Sequence, residues 1–386
     1  MEFLTDLIKY PFRKAYAALK KKLGWLGHPV LLPFRGFGNY QEIYMKGRVI
    51  EDNGIAQPEV DNSIWKNMLA MFKRYASSGI SEVQVSLRFR GIESSTMTNE
   101  NGFFIFHFKL DGIAAQSLKG WEEVELEMQG MYKEKSFIQK ATGEILFCHG
   151  SQFGVISDID DTILISHATD LRKKLRLMLL KNALTRMPFD GVRGFYRALS
   201  KGRQDTPFPN PVFYVSSSEW NLYDLLVSFC MHQQIPKGPF LLREVKINFS
   251  KLWKSGQGSH NHKLDKIRRI IGFYPEMEFI LIGDSGQHDA ELYHQMAIEC
   301  QGRVKTIYIR DVRRSRHEEV QQIAYQLKEK GVEMLLVKDT EEAAKHALQK
   351  GYISAEEIPS IAEEKRDNQQ AKSDFELVEE LAGQKE

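Results

Sequence analysis

Asp158 and Asp160, in the run Asp158-Ile159-Asp160-Asp161-Thr162, follow the apolar stretch Phe153-Gly154-Val155-Ile156 and stand where a buried strand should end. Ligands of open α/β sheets gather at the carboxyl ends of strands. Burying like charges together is costly unless a cation or a reaction uses them, so the pair reads as a site for a hard cation, with magnesium the natural guest. A helix cap is the plain structural reading of the same acids. Three downstream pieces count against it. Pro211-Val212-Phe213-Tyr214-Val215 is strand-like and delivers Ser216-Ser217-Ser218 to the same edge, where a hydroxyl can hold a phosphate oxygen. Lys263 heads a segment in which Leu264, Ile267, Ile270 and Ile271 recur at helical spacing, and its ammonium can offset phosphate charge. Phe279-Ile280-Leu281-Ile282 runs into Gly283-Asp284-Ser285-Gly286-Gln287-His288-Asp289. Each piece alone has a bland reading as a turn, a solvated helix residue or a cap. Their order, each after a strand or on the helix before one, is what argues for chemistry.

This ordered set, Asp158-x-Asp160-x-Thr162, then Ser216, Lys263 and Gly283-Asp284-x-x-x-x-Asp289, resembles the four motifs of the haloacid dehalogenase superfamily of aspartate-nucleophile phosphohydrolases. The local wording is narrower. Val155-Ile156-Ser157 before DIDDT, Tyr214 to Tyr223, Leu241-Leu242-Arg243 and GDSGQHDAELY through Tyr293 resemble the App1 family of magnesium-dependent phosphatidate phosphatases, over roughly residues 30 to 345 and most weakly in the first third. The resemblance implies substrate contacts from Thr162, Ser216, Ser217 and Arg243, and a phosphatidate or related lipid phosphomonoester as substrate. One departure is visible. The family wording around the second motif is Ser-Asn-Ser-Pro-Trp, whereas this chain has Ser216-Ser217-Ser218-Glu219-Trp220, which keeps the hydroxyl and changes the local turn.

The residues support the same chemistry independently. A carboxylate held in line with phosphorus can form an acyl phosphate and split one hard displacement into two easier ones, which assigns the nucleophile to Asp158. A carboxyl two residues on can protonate the leaving alcohol and later take a proton from water, which assigns Asp160 as acid/base. One oxygen of Asp158, the Asp160 carbonyl, Asp284 and Asp289 make an oxygen set suited to magnesium. Ser216 and Lys263 would face the oxygens of the transferring group. Asp161 fits a capping role as well as a functional one. His260, His262 and His288 invite a zinc reading, but their Ser- and Gly-rich flanks and the complete carboxylate set favour loop histidines.

These side chains need a sheet to carry them. Residues 150 to about 345 alternate strand and helix patterns, including Val304–Ile309 and Met334–Val337, which predicts a doubly wound parallel sheet of the α/β class, a haloacid-dehalogenase-like catalytic domain over 150–358. Between its first two motifs, Asp170–Met187 mixes Arg172, Lys173, Lys174, Arg176, Lys181 and Arg186 with leucines, as either a cover that meets lipid or a core helix with a solvated rim. Residues 30–149 read as a β-sandwich-like domain: Val83–Phe89 alternates, Asn99–Gly102 marks a turn, and Phe103–Leu110 and Val124–Met128 resume strands. Ile64–Tyr75 looks like an inserted helix, and Arg35-Gly36-Phe37-Gly38-Asn39 like a turn.

The 386 residues are 42% hydrophobic and 27% charged, enough for a large core, and the net charge of +2 excludes the global basic field of a non-specific nucleic-acid binder. Charge collects at the ends. Residues 1–27 hold six Lys/Arg against two acids, with Phe12, Tyr16, Leu19 and Leu23 at helical spacing, so an N-terminal helix over 1–29 either lies on an anionic membrane or packs on its own domain. Residues 359–386 form an acidic tail poor in aromatics, expected to lack structure. Cys148, Cys230 and Cys300 show no metal spacing and, with no signal peptide, fit a reducing cytoplasm. No apolar stretch approaches the length of a bilayer span, so membrane contact would be peripheral. Two other readings remain: a soluble phosphomonoesterase, or a catalytically weak lipid-binding scaffold.

Overall fold

The computed structural model describes residues 28–52, 77, 79–110, 118–132, 135–159, 191–203, 208–243 and 260–367. Residues 1–27 of the expected helix at 1–29, the expected helix at 64–75 and the basic segment 170–187 lie outside these residues, as do Asp160, Asp161 and Thr162, while Pro29 opens a strand and so ends that first segment earlier than expected. The chain divides into two compact units, Met1–Phe147 and Cys148–Glu386.

The described residues of the first unit form eight strands: β1 (Pro29–Pro33), β2 (Gly36–Gly38), β3 (Glu42–Glu51), β4 (Gln84–Phe89), β5 (Ile92–Met97), β6 (Phe103–Lys109), β7 (Gly120–Tyr132) and β8 (Lys135–Phe147). Alternation sets the strand faces, as in β4, where Val85, Leu87 and Phe89 turn inward while Gln84 and Arg88 face solvent. Val49, Phe104, Phe106, Leu126, Met128 and Ile145 join them in one core. The predicted turn at Asn99–Gly102 is present, with Asn99 Oδ1 accepting from the amides of Asn101 and Phe103 at 3.0 Å each.

One expectation changes here. The strands are joined in one continuous mixed sheet, in the order β1-β3-β2-β8-β7-β4-β5 with β6 on β3. The join is the stretch around Gly36-Phe37-Gly38, expected as a turn. It is strand β2, antiparallel to β3 and parallel to β8. A Cβ on Gly38 would come within 2.4 Å of the Phe147 ring, so glycine is what lets this backbone approach β8 closely enough to pair.

The second unit carries a six-stranded parallel sheet of β9 (Gly154–Asp158), β10 (Val212–Glu219), β11 (Phe240–Arg243), β12 (Phe279–Asp284), β13 (Val304–Arg310) and β14 (Glu333–Val337), in the order β11-β10-β9-β12-β13-β14. The described helices are α1 (Val192–Lys201), α2 (Tyr223–His232), α3 (His260–Phe273), α4 (Asp289–Glu299), α5 (His317–Glu329), α6 (Thr340–Gln349) and α7 over 357–367. Helices α3, α4 and α5 lie side by side, while α1 packs on α6. Strand β9 is buried residue after residue, as a parallel sheet covered on both faces requires.

The strand order reverses between β9 and β12. Successive strands run outward in one direction from β9 and in the other from β12, which opens a crevice at their carboxyl ends. Helix α7 corrects the expected tail, since residues 359–367 are helical. Pro359 sits in its first turn, where a missing N–H costs nothing. Ile361 is buried, Glu364 meets Arg193 at 3.1 Å, and Lys365 meets Asp339 at 2.7 Å, so specific anchors override the acidic composition.

Candidate active site

Asp158 is the last residue of β9 and Asp284 the last of β12, two neighbouring parallel strands whose ends flank the crevice. Both carboxylates are buried. Asp289 and Lys263 reach them from helices, and the sequence explains how. Lys263 shares a helical stripe with Ile267 and Ile270, both buried, so the core face of α3 carries an ammonium at its sheet-facing start. Asp289 shares a stripe with Leu292, Tyr293 and Met296 on α4, so its carboxylate is driven inward in the same way. Gly283 makes room. A Cβ there would come within 2.4 Å of Asp289 Oδ2, so only glycine lets this carboxylate lie against the end of β12.

Lys263 Nζ lies 2.9 Å from Asp158 Oδ2 and donates to Asp289 Oδ1 at 2.5 Å. The Asp284 amide donates to Asp289 Oδ2 at 3.2 Å, and Asp284 Oδ1 accepts from the amides of Gly286 and Gln287 at 2.6 and 3.1 Å. Burial pushes the Asp289 carboxyl above the ordinary carboxylate range, with Lys263 opposing that shift and Asp284 adding to it. Among the described residues, three buried carboxylates meet one ammonium, a balance of charge that a further cation would ease. One oxygen from each of Asp158, Asp284 and Asp289 lies within 4.8 Å of the others, a spacing and donor set that fit a hard divalent ion.

Beneath Asp158, Ser157 Oγ donates to the Asp158 carbonyl at 2.9 Å and shares a 2.6 Å hydrogen bond with the Tyr196 hydroxyl of α1. Burial raises the Tyr196 phenol, which keeps it neutral. Ser157 and Tyr196 are 39 positions apart, and no local spacing announces the pair. A cavity of about 290 Å³ opens beside Asp158 and Asp284, walled by Val192, Phe195, Tyr196 and Tyr308, with Arg310 and Lys338 also lining it.

The remaining predicted residues take up positions on the same sheet edge. Ser216 follows Val215, which pairs with Asp158 in register, and its hydroxyl accepts from the Ser218 amide at 2.9 Å. Lys266, one turn beyond Lys263, donates to the Ser216 carbonyl at 2.7 Å. Ser217 is half-buried next to it. Arg243 ends β11 and lies 3.7 Å from Glu219, so the residue that departs from the family wording faces the arginine assigned to substrate. His288 meets Glu291 at the surface and His262 is exposed, and neither joins the carboxylates.

Residues 153–311 match the family model described as Phosphatidate phosphatase APP1, catalytic domain. The chain is 34% identical over 157 residues to phosphatidate phosphatase APP1 of Saccharomyces cerevisiae, covering 41% of this chain and 25% of that protein. It is 25% identical over 248 residues to an uncharacterized protein of Schizosaccharomyces pombe, covering 64% of this chain and 38% of that one. The chain thus spans between a quarter and two fifths of the length of these relatives. Among solved structures, a carbohydrate acetylesterase from Xanthomonas citri aligns at 10% identity with a TM-score of 0.26, over 73% of this chain and 68% of that one, too distant to carry an argument. The matched stretch begins one residue before β9 and ends one residue after β13, so it contains Asp158, Ser216, Lys263, Asp284 and Asp289. Over residues 153–311, this chain is thus similar to the catalytic domain of the App1-like phosphatidate phosphatases.

Proposed function

We propose that the protein is a phosphoric monoester hydrolase that converts phosphatidate to diacylglycerol and phosphate through an aspartyl-phosphate intermediate, on a doubly wound haloacid-dehalogenase-like fold. The convergence of Asp158, Asp284, Asp289 and Lys263 at the crevice between β9 and β12 carries this reading. Similarity over 153–311 to the catalytic domain of phosphatidate phosphatase APP1 supports the substrate class.

In this reading Asp158 attacks phosphorus, and the P–O bond to the glyceride oxygen breaks as the acyl phosphate forms. Lys263 holds the attacking carboxylate in place through Asp158 Oδ2 and is itself fixed by Asp289. Asp160, outside the described residues, protonates the departing alkoxide and then removes a proton from the water that releases phosphate. Ser216 and Ser217, with Thr162 and Arg243, contact substrate oxygens. Magnesium fits Asp158, Asp284, Asp289 and the Asp160 carbonyl, and when bound would neutralise phosphate charge and align attack. The β10 and β11 ends bring Glu219 to Arg243, so Arg243 meets a substrate anion only in competition with Glu219.

Phosphate release from phosphatidate in mixed micelles, set against soluble phosphomonoesters, tests the proposal. Magnesium-dependent turnover of phosphatidate, lost in Asp158→Asn, is the expected result. Turnover confined to soluble sugar or nucleotide esters would replace the lipid substrate, and none with any monoester would leave a binding protein.

A further inference from the structure

The loop after β13 leaves the sheet beside the carboxylates, since Arg310 pairs in register with Asp284. It presents an unusual tip. Val312 is 44% exposed, and it is followed by Arg313 and Arg314, two exposed guanidinium groups with no hydrogen-bond or ion-pair partner among the described residues. On the neighbouring strand end, Lys338 is exposed and its ammonium is equally without a partner among them. Acids of the same region are engaged elsewhere: Asp311 with His317 at 2.6 Å, Glu319 with Arg316 at 3.0 Å, and Glu291 with Arg316. Two exposed acids are left: Glu318 near the arginines, and Glu342, whose carboxylate accepts from the Lys338 amide at 2.9 Å. The tip is therefore cationic around an apolar side chain.

It is also fixed in place. Ser285 is fully buried, and its hydroxyl accepts from the amides of Val312 and Arg313 at 3.0 Å each, while the Asp311 amide donates to Val337 at 2.9 Å. Ser285 follows Asp284 directly, so two hydrogen bonds tie the tip to the candidate metal-binding strand end. A loop held this firmly yet showing solvent an apolar residue next to two arginines has a surface built for contact.

We propose that Val312, Arg313 and Arg314 form a docking edge for an anionic phospholipid bilayer. Cationic side chains next to an apolar one match an interface where headgroup charge overlies hydrocarbon, and nucleic-acid phosphates would have no use for Val312. Contact at this edge turns the crevice between β9 and β12 toward the membrane. The proposal rests on the lipid-phosphate reading for its purpose and is measurable without it.

The test places an environment-sensitive fluorophore on Val312→Cys, in the full chain carrying Cys300→Ser, and adds phosphatidylcholine vesicles with and without phosphatidylserine. Phosphatidylserine is a phosphodiester, so its capture does not depend on monoester turnover. A blue shift confined to the anionic vesicles and suppressed by high salt is expected. Arg313→Ala with Arg314→Ala should weaken co-sedimentation roughly thirtyfold, about a factor of five for each guanidinium, and leave soluble-monoester hydrolysis unchanged. No shift, an equal shift on neutral vesicles, or unaltered co-sedimentation overturns the docking edge. Absence of phosphatidate hydrolysis with the shift intact overturns the substrate reading alone.

Discussion

Lys263 is the residue on which the site's electrostatics turn, because it is the sole cation within ion-pair distance of Asp158 and Asp289 among the described residues. Lys263→Met keeps the apolar stem and removes the charge, stranding buried carboxylates, so it should lower stability by about 3–5 kcal/mol in chemical denaturation. Adding Asp289→Asn to that background should return part of the loss. A simple sum of the two single effects would show that the pair is not coupled. Asp284→Ala or Asp289→Ala should raise the magnesium needed for half-maximal activity, with calcium a poor substitute because its larger, looser shell disturbs in-line geometry. A magnesium response identical to that of the unaltered protein would remove these two carboxylates from the metal set.

Elements place these residues, and two of them are exposed to single substitutions. Gly38→Ala would drive a Cβ into the Phe147 ring, so β2 should lose its pairing with β8 at a cost of roughly 1–3 kcal/mol, visible as a lowered Tm. At the other sheet, Ser285→Ala leaves the amides of Val312 and Arg313 without their buried acceptor, at about 1–3 kcal/mol. Hydrogen exchange should then rise at 312–313 before it rises in β12, and a uniform rise across the unit would mean that Ser285 supports the fold as a whole. Legibility in the sequence follows the same division. The apolar runs ending at Asp158, Val215 and Ile282 were readable because a parallel strand buried on both faces must be apolar throughout. Lys263 was readable because it heads an apolar helical stripe, and Asp289 because it stands five residues after Asp284 past the same apolar run. Strand β2 was not, since a Gly-x-Gly strand pairs through backbone that the sequence shows only as a missing side chain. Helix α7 was not either, because Ile361 and Lys365 find their partners in α1 and α6 and not in their own acidic surroundings.

Across the molecule, the β-rich unit and the parallel-sheet unit each enclose their own core, and the matched stretch 153–311 falls within the second. No helix among the described residues is long and apolar enough to cross a membrane. The apolar runs pointed to the strands that border the crevice, although β10 continues to Glu219, four residues past its run, and nothing in them announced the Ser157–Tyr196 bond or the aromatic-walled cavity, which join residues far apart in the chain. Everything proposed for this crevice depends on Asp158 taking the phosphoryl group. Acid-quenched turnover of radiolabelled phosphatidate, followed by peptide mapping, measures that directly. A single acyl-phosphate label at Asp158, absent from Asp158→Asn, is the predicted result, whereas label on another residue, or turnover that survives Asp158→Asn, would contradict it.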